Sequence, residues 1–339
     1  MTKLLQRILP FLIIAVLLAT VPVLRPGMLE DLLVPKDTAD NPGGIGVTSS
    51  WEPLHAQGHD FWVTITPGNA FGFVDSNTPS ISGEEKTDSV YVRFSEPDSL
   101  GRTGPVTACL DTSLFPETER ESLPEYEPAA WHSDTYPFIE GEYLYNRCHL
   151  IAWQLSGSND PRGLITGTRW LNAVSMAPFE RMLSQYLYAN EKTGARILYR
   201  VTPVYVDNEL LCRGLLLEAA SVPGSDGADP SSADPSSTGP ISAGPEEPLR
   251  LCVFCPNIQP GVWIDYTAGA NAPDGTITAE TPPESTDAPL VLNLRTRKYH
   301  LKDCEKTASI YRRNLLPYYG TAQELLDAGF IPCSFCIGK

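Results

Sequence analysis

Cations are the scarce ingredient of this chain. Lys and Arg number 25 against 41 Asp and Glu, so the 339 residues carry a formal charge of −16. A deficit of that size argues at first against a nucleic-acid partner, because phosphate binding needs cations on the contact face. Long apolar runs are scarce as well. The one long run, Ile8 to Leu24, stands behind Lys3 and Arg7 in the order of a charged n-region and an apolar h-region. A convincing A-x-A cleavage site is missing after it, and Pro10 and Pro22 interrupt a run already near the lower limit for a spanning helix. Residues 1–25 therefore read as an uncleaved membrane anchor or a signal peptide, with the rest of the protein secreted or held on the outer face of the cell membrane. Histidine is rare too, at five residues, which leaves few places for a neutral-pH acid or base.

The distribution of charge changes the first conclusion. Residues 137–217 hold 8 Lys and Arg against 7 Asp and Glu, and residues 289–339 hold 8 against 4. The acid is concentrated in the leader region and the linkers, so these two stretches can still face phosphate.

Residues 26–50 contain Pro, Gly and Asp with little periodicity and read as a stalk. From Trp51 onward, short runs rich in β-branched and aromatic residues, such as "FWVTI" and "VYVRF", predict strands. "YRVTPVYV" and "LCRGLLLEAASV" predict an antiparallel hairpin. The Pro/Ser/Asp/Gly-rich stretch over about 222–248 reads as a disordered insertion within one domain, because the strand-like "LRLCVFCPNI" follows it. A second linker over 269–288 marks a boundary, giving one domain at 51–268 and a module at 289–339.

Asn146, Arg147, Cys148 and His149 form the tetrad of "YNRCHLIAWQLSG", followed by "LITGTRWLN", "MAPFERM" and "NIQPGVWIDY". In this order they resemble the DNA/RNA non-specific endonucleases, the ββα-metal family with an Asp-Arg-Gly-His signature, and more closely its Asn-Arg-Cys-His branch. The resemblance covers roughly residues 90–268. It implies an α+β fold with an antiparallel sheet core and hydrolysis of DNA or RNA phosphodiesters. It also implies His149 as general base, Asn172 as the protein ligand of a single Mg2+, and Glu180 as a carboxylate that positions metal-bound water.

The residue types suit that chemistry. Phosphodiester cleavage needs a base for the attacking water, positive charge on the transition state and help for the leaving oxygen. Mg2+ keeps several waters, so a single amide oxygen suffices as a protein ligand. Pro178 predicts a helix start, with Asn172 at its mouth and Glu180 in its first turn. Arg147 and Arg169 are candidates for phosphate binding, Arg147 the stronger, and contacts confined to phosphate carry no sequence information. Gly163 departs from the family, in which Asn often precedes "LITGTR". Singly, His149 is also explained as a hydrogen-bonded core residue, Asn172 as a cap and Glu180 as a solvated helix residue; the ordered set favours the nuclease. His55, His59 and His132 read as structural or surface residues, as do Arg93 and Arg102.

Eight cysteines in an exported chain predict disulfides. The last three follow another logic, with His300-x3-Cys304 and Cys333-x2-Cys336 forming two short clusters that suit tetrahedral structural Zn2+. The stretch is similar to small Ada-type metal-binding modules. A fifty-residue module needs such a staple, and a disulfide is the alternative. Cys109, Cys148, Cys212, Cys252 and Cys255 are odd in number and read as core residues or disulfide partners. The reading is a ββα-metal endonuclease with a metal-stapled C-terminal module. The alternatives are a catalytically weak nucleic-acid-binding protein on the same fold and a surface protein whose module recruits a partner.

Overall fold

In the computed structural model, residues 69–81, 89–118, 123, 125–222, 248–275 and 288–338 are described, with the backbone of two short strands at 54–56 and 59–61. The leader, the stalk, the insertion from 223 to 247 and the linker from 276 to 287 lie outside the described residues, as do the side chains of His55 and His59. Among the described residues no helix is long and apolar enough to cross a membrane.

In chain order the strands are β1 (Leu54–Ala56), β2 (His59–Phe61), β3 (Gly72–Phe73), β4 (Tyr91–Phe94), β5 (Val106–Leu110), β6 (Tyr145–His149), β7 (Leu164–Thr168), β8 (Arg196–Val204), β9 (Gly214–Val222) and β10 (Arg250–Pro256). They are followed by β11 (Val262–Ile264), β12 (Asn271–Pro273), β13 (Leu290–Asn293), β14 (Lys298–Leu301), β15 (Leu315–Tyr318) and β16 (Ile331–Pro332). Among the described residues three α-helices accompany them: α1 (Trp153–Ser156), α2 (Ala177–Ala189) and α3 (Ala322–Asp327).

The central sheet has the order β3-β10-β9-β8-β5-β4, and each of its pairings is antiparallel. Its middle is the hairpin expected from "YRVTPVYV" and "GLLLEAASV", in register from Arg196 opposite Val222 to Val204 opposite Gly214. One charge pair crosses that hairpin: Arg200 faces Glu218 at 2.6 Å, and the Ser80 amide and hydroxyl donate to the other carboxylate oxygen at 2.7 and 2.8 Å. A carboxylate buried this deeply needs such saturation, since leaving one partner out costs several kcal/mol, about 3–5.

A separate hairpin, β6 with β7, carries the tetrad in register from Tyr145 opposite Thr168 to His149 opposite Leu164. Glycine at 167 permits its packing, because a Cβ there would lie 2.6 Å from that of Cys148. From β7 the chain enters a π-helical segment, Leu171–Met176, and runs directly into α2. Asn172 is therefore inside a continuous helical run, one turn upstream of the α-helix, and not at an open helix mouth. Pro178 does stand at the start of α2, with Glu180 in the first turn. The β6–β7 hairpin and this helix make the ββα unit.

The fully buried Asn257 of "NIQPG" holds the hairpin against the central sheet. Its amide nitrogen donates to the carbonyls of Thr166 and Cys212, and its oxygen accepts from the Thr168 amide at 2.8 Å. The Gln259 side chain accepts from the Trp170 amide at 3.1 Å. The expected linker begins later than residue 269, because β12 pairs with β11.

The C-terminal residues form a four-stranded sheet, β15-β13-β14-β16. Its apolar side chains join the core of the central sheet. Phe71 stacks edge-on against Phe179 at 4.9 Å and lies 6.2 Å from Tyr318, while Phe73 lies 5.9 Å from Phe330. Polar ties add to this: Asn77 donates to the Ala328 carbonyl at 3.0 Å, and Gln185 to Asn314 at 3.0 Å. The stretch set apart in the sequence as a module thus shares one apolar core with the sheet before it.

Candidate active site and metal centres

Along β6 the alternation of a strand sends Asn146 and Cys148 to the side facing the helix, and Arg147 and His149 to the other. The helix side is a small hydrogen-bonded group. The Asn172 amide nitrogen donates to Asn146 Oδ1 at 3.2 Å, and the Cys148 thiol donates to Asn172 Oδ1 at 3.3 Å and lies 3.6 Å from Met176 Sδ. Donor and acceptor ends of Asn172 are both assigned by these neighbours, so its oxygen is held in one orientation. The Cys148 thiol stays protonated, because burial and then the neighbouring Glu180 push it well above the ordinary value.

Glu180 is buried, at 7% exposure. One oxygen accepts from the Ala152 amide at 3.0 Å, which ties the first turn of α2 to the segment three residues beyond His149. Burial pushes its carboxyl up to about 7, against the hydrogen bond from Ala152 and the charge of Arg181. Among the described residues it has no ion pair. A hard cation beside it would relieve that desolvation, and the donors within this unit, an amide oxygen and a carboxylate, are the oxygen ligands that Mg2+ takes.

His149 is half-buried at the last position of β6. Its Nε2 donates to Asn159 Oδ1 at 3.1 Å, which keeps the imidazole in one tautomer. Asn159 sits in the loop after α1, where Gly157 takes a left-handed φ of 61° and Asp160 caps the next turn. Sequence reasoning missed Asn159, which stands in a polar loop with no spacing to the motif. His149 follows Cys148, whose thiol donates to Asn172 Oδ1 at 3.3 Å.

Arg147 is spent partly inside the protein. Its Nε donates to the Tyr126 carbonyl and its guanidinium lies over the Trp131 ring at 4.6 Å. A fork through Nε is closed to phosphate, leaving the Nη end. Arg169 pairs with the exposed Glu140 at 3.1 Å. Gly163 has a physical reason: a Cβ there would meet the Phe94 ring at 2.6 Å, so the aromatic ring fills the space that an Asn side chain would need. His132 Nε2 donates to the Ala268 carbonyl at 2.9 Å, Arg102 is paired with Asp98 at 2.7 Å, and Arg93 stacks on Tyr91 at 4.9 Å.

The disulfides expected from the cysteine count are absent among the described residues, where none of the eight cysteines is joined to another. Cys109, Cys148, Cys212, Cys252 and Cys255 are buried in the body of the protein as small apolar residues.

The other three belong to a second centre. The ligand atoms of His300, Cys304, Cys333 and Cys336 lie within 4.8 Å of one another. Parallel pairing of β14 with β16, Lys298 opposite Ile331 and Tyr299 opposite Pro332, brings the two sequence clusters together. His300 Nδ1 lies 3.5 Å from Cys304 Sγ, and the Leu301 amide donates to Cys336 Sγ at 3.4 Å. Zn–S bonds of about 2.3 Å place tetrahedral ligand atoms somewhat under about 4 Å apart, so this set closes on an ion with little movement.

Residues 84–222 match the family model described as DNA/RNA non-specific endonuclease. Among solved structures the chain is similar to NucA from Streptococcus agalactiae with magnesium ion bound, at 22% identity over 65% of this chain and 90% of that one, with a TM-score of 0.47. It is similar to Sda1 nuclease with bound zinc ion at 24% identity over 54% and 80%, with a TM-score of 0.42. An extracellular endonuclease is 20% identical over 62% and 100%, with a TM-score of 0.41. Among curated proteins none matches. The matched segment runs from before β4 to the end of β9 and holds the whole ββα unit, so it is this part of the chain that is similar to the DNA/RNA non-specific endonucleases.

Proposed function

We propose that the protein is a Mg2+-dependent, sequence-non-specific endonuclease acting outside the cell, with Asn172 and Glu180 serving the metal and His149 the water. One observation carries the reading: the Asn146–Asn172–Cys148 group presents a single oriented amide oxygen in the same helical run as a buried carboxylate. When bound, Mg2+ would neutralise charge on the scissile phosphate and stabilise the leaving oxygen.

The chain's own residues do the rest. His149, oriented by Asn159, takes a proton from water as the water oxygen bonds to phosphorus. The P–O bond to the departing sugar oxygen breaks, and that oxygen acquires a proton from solvent. Asn146 and Cys148 orient Asn172, while Glu180, tied to the Ala152 amide, orders water beside it. The Nη end of Arg147 and the guanidinium of Arg169 would contact phosphate oxygens, which gives no readout of base sequence. The Cys3His set would hold Zn2+ as a structural ion, since four N and S ligands leave no open position. The run of cations before Ile8–Leu24 supports an exported or anchored protein.

The test is digestion of supercoiled DNA and of RNA by the full chain. Cleavage with Mg2+ that stops with EDTA is the expected result. Binding without cleavage would instead support the catalytically weak nucleic-acid-binding protein.

A further inference from the structure

A cavity of about 370 Å3 lies between α2 and the C-terminal sheet. The α2 side contributes Met182, Gln185, Tyr186 and Ala189, the i, i+3, i+4, i+7 set of one helix face. Glu180 is two residues before Met182, about 200° around the helix, so the cavity is on the side of α2 away from the candidate active site. The opposite wall includes Arg295, Arg297 and Arg313, and none of the lining residues is acidic.

Two of these arginines, Arg295 and Arg313, are open to an anion. Among the described residues neither Arg295 nor Arg313 meets a carboxylate, and both are exposed. Arg181 stands nearby with its Nε buried and without a hydrogen-bond partner. Like charges gathered in this way are relieved by an anion. Two tyrosines at the rim expose their rings to solvent, Tyr188 at 62% and Tyr311 at 68%, and Arg313 already lies over the Tyr311 ring at 5.2 Å.

We propose that this cavity is a second nucleic-acid site, in which a single-stranded segment places phosphates on Arg295 and Arg313 and stacks a base on Tyr311. Guanidinium groups interleaved with open aromatic faces are the chemistry that holds a single strand without reading its sequence. The choice of nucleic acid as occupant rests on the nuclease reading. The site itself lies across α2 from the cutting residues, so it captures a part of the substrate remote from the bond being cut.

The experiment is fluorescence anisotropy of a fluorescein-labelled oligothymidylate with the full chain in EDTA, across a salt series. For Arg295→Ala/Arg313→Ala the slope of log affinity against log salt should shrink by about 1.4, since each lost phosphate contact on a single strand removes about 0.7. Tyr311→Ala should weaken binding by at least about five-fold with the slope unchanged, and Tyr311→Phe should restore it. Thermal melts confirm that each variant is folded. Affinities and slopes equal to those of the unaltered chain would overturn the proposal. Mg2+-dependent cleavage by the unaltered chain is measured in parallel: cleavage with unchanged binding in the variants removes the second site alone, and lost binding in variants of a chain that never cleaves removes the nuclease reading alone.

Discussion

The two candidate metal centres of this chain are opposites. The Cys3His set has four N and S atoms drawn together within 4.8 Å and three of its four residues buried. The ββα unit offers one amide oxygen, held by Asn146 and Cys148, and one buried carboxylate tied to Ala152. Soft ligands in a closed tetrahedron suit an ion that stays, and sparse oxygen ligands suit one that exchanges and leaves room for substrate. The difference teaches where each metal should be felt if the proposed assignment holds: an ion in the closed set in stability, one in the open set in rate.

The largest expected effect lies at the closed centre. Removing zinc, or substituting Cys333→Ser, should cost about 5 kcal/mol or more and lower the melting temperature by about 10–20 °C. Because Phe330 and Tyr318 pack on Phe73 and Phe71, calorimetry should show the nuclease sheet loosening with the C-terminal sheet in one transition. A second transition left at the original temperature would mean that the two parts melt independently.

Next comes the proposed base. His149→Ala should lower turnover by about 10²- to 10⁴-fold with the melting temperature unchanged, as expected of a positioned proton acceptor. Steady-state kinetics on plasmid DNA checks this, and activity within a few-fold of the unaltered chain would return His149 to a structural role.

The open centre also makes a prediction about pH. Glu180 has its carboxyl raised to about 7 from an ordinary 4.5, so the folded state binds the extra proton between those values. Stability without metal should therefore fall as pH rises through that window and level off above it. Glu180→Gln, which keeps an acceptor for the Ala152 amide, should remove the fall and be more stable than the unaltered chain at pH 8 in EDTA by up to about 3 kcal/mol. Denaturant melts at acid and mildly alkaline pH measure it; parallel pH profiles for the two proteins would contradict a buried, unpaired carboxylate.

A smaller effect is expected at the residue that holds the imidazole. Asn159→Ala should reduce kcat by about tenfold and shift the pH profile of kcat, whereas a residue that only ordered the loop would leave the profile in place.

What could be read in the sequence was local. The strand period of β8 and β9, Pro178 at the start of α2, and the two-cluster spacing of His300, Cys304, Cys333 and Cys336 are written in neighbouring residues. The tetrad was legible because its residues share one strand. Long-range facts were not: Arg147 turns inward because Trp131 and Tyr126 come to it from a loop, and Gly163 is needed because Phe94 occupies its side-chain space. Asn159 found His149 across a turn that no periodicity marks. The junction of the C-terminal sheet with the core depends on Phe71 and Phe73, more than two hundred residues earlier in the chain. The π-helical turn at Asn172 also escaped, since apolar spacing does not separate one helical period from another over six residues.

The comparison between the centres is tested most directly by the Mg2+ dependence of plasmid cleavage by Asn172→Ala, set beside the unaltered chain with one zinc per chain in both. With Asn172 as the ligand of an open site, the variant should need more Mg2+ for half-maximal rate and reach a lower maximum, while its zinc content and melting temperature stay the same. Identical Mg2+ curves for the two proteins would contradict the assignment of the catalytic metal to the ββα unit.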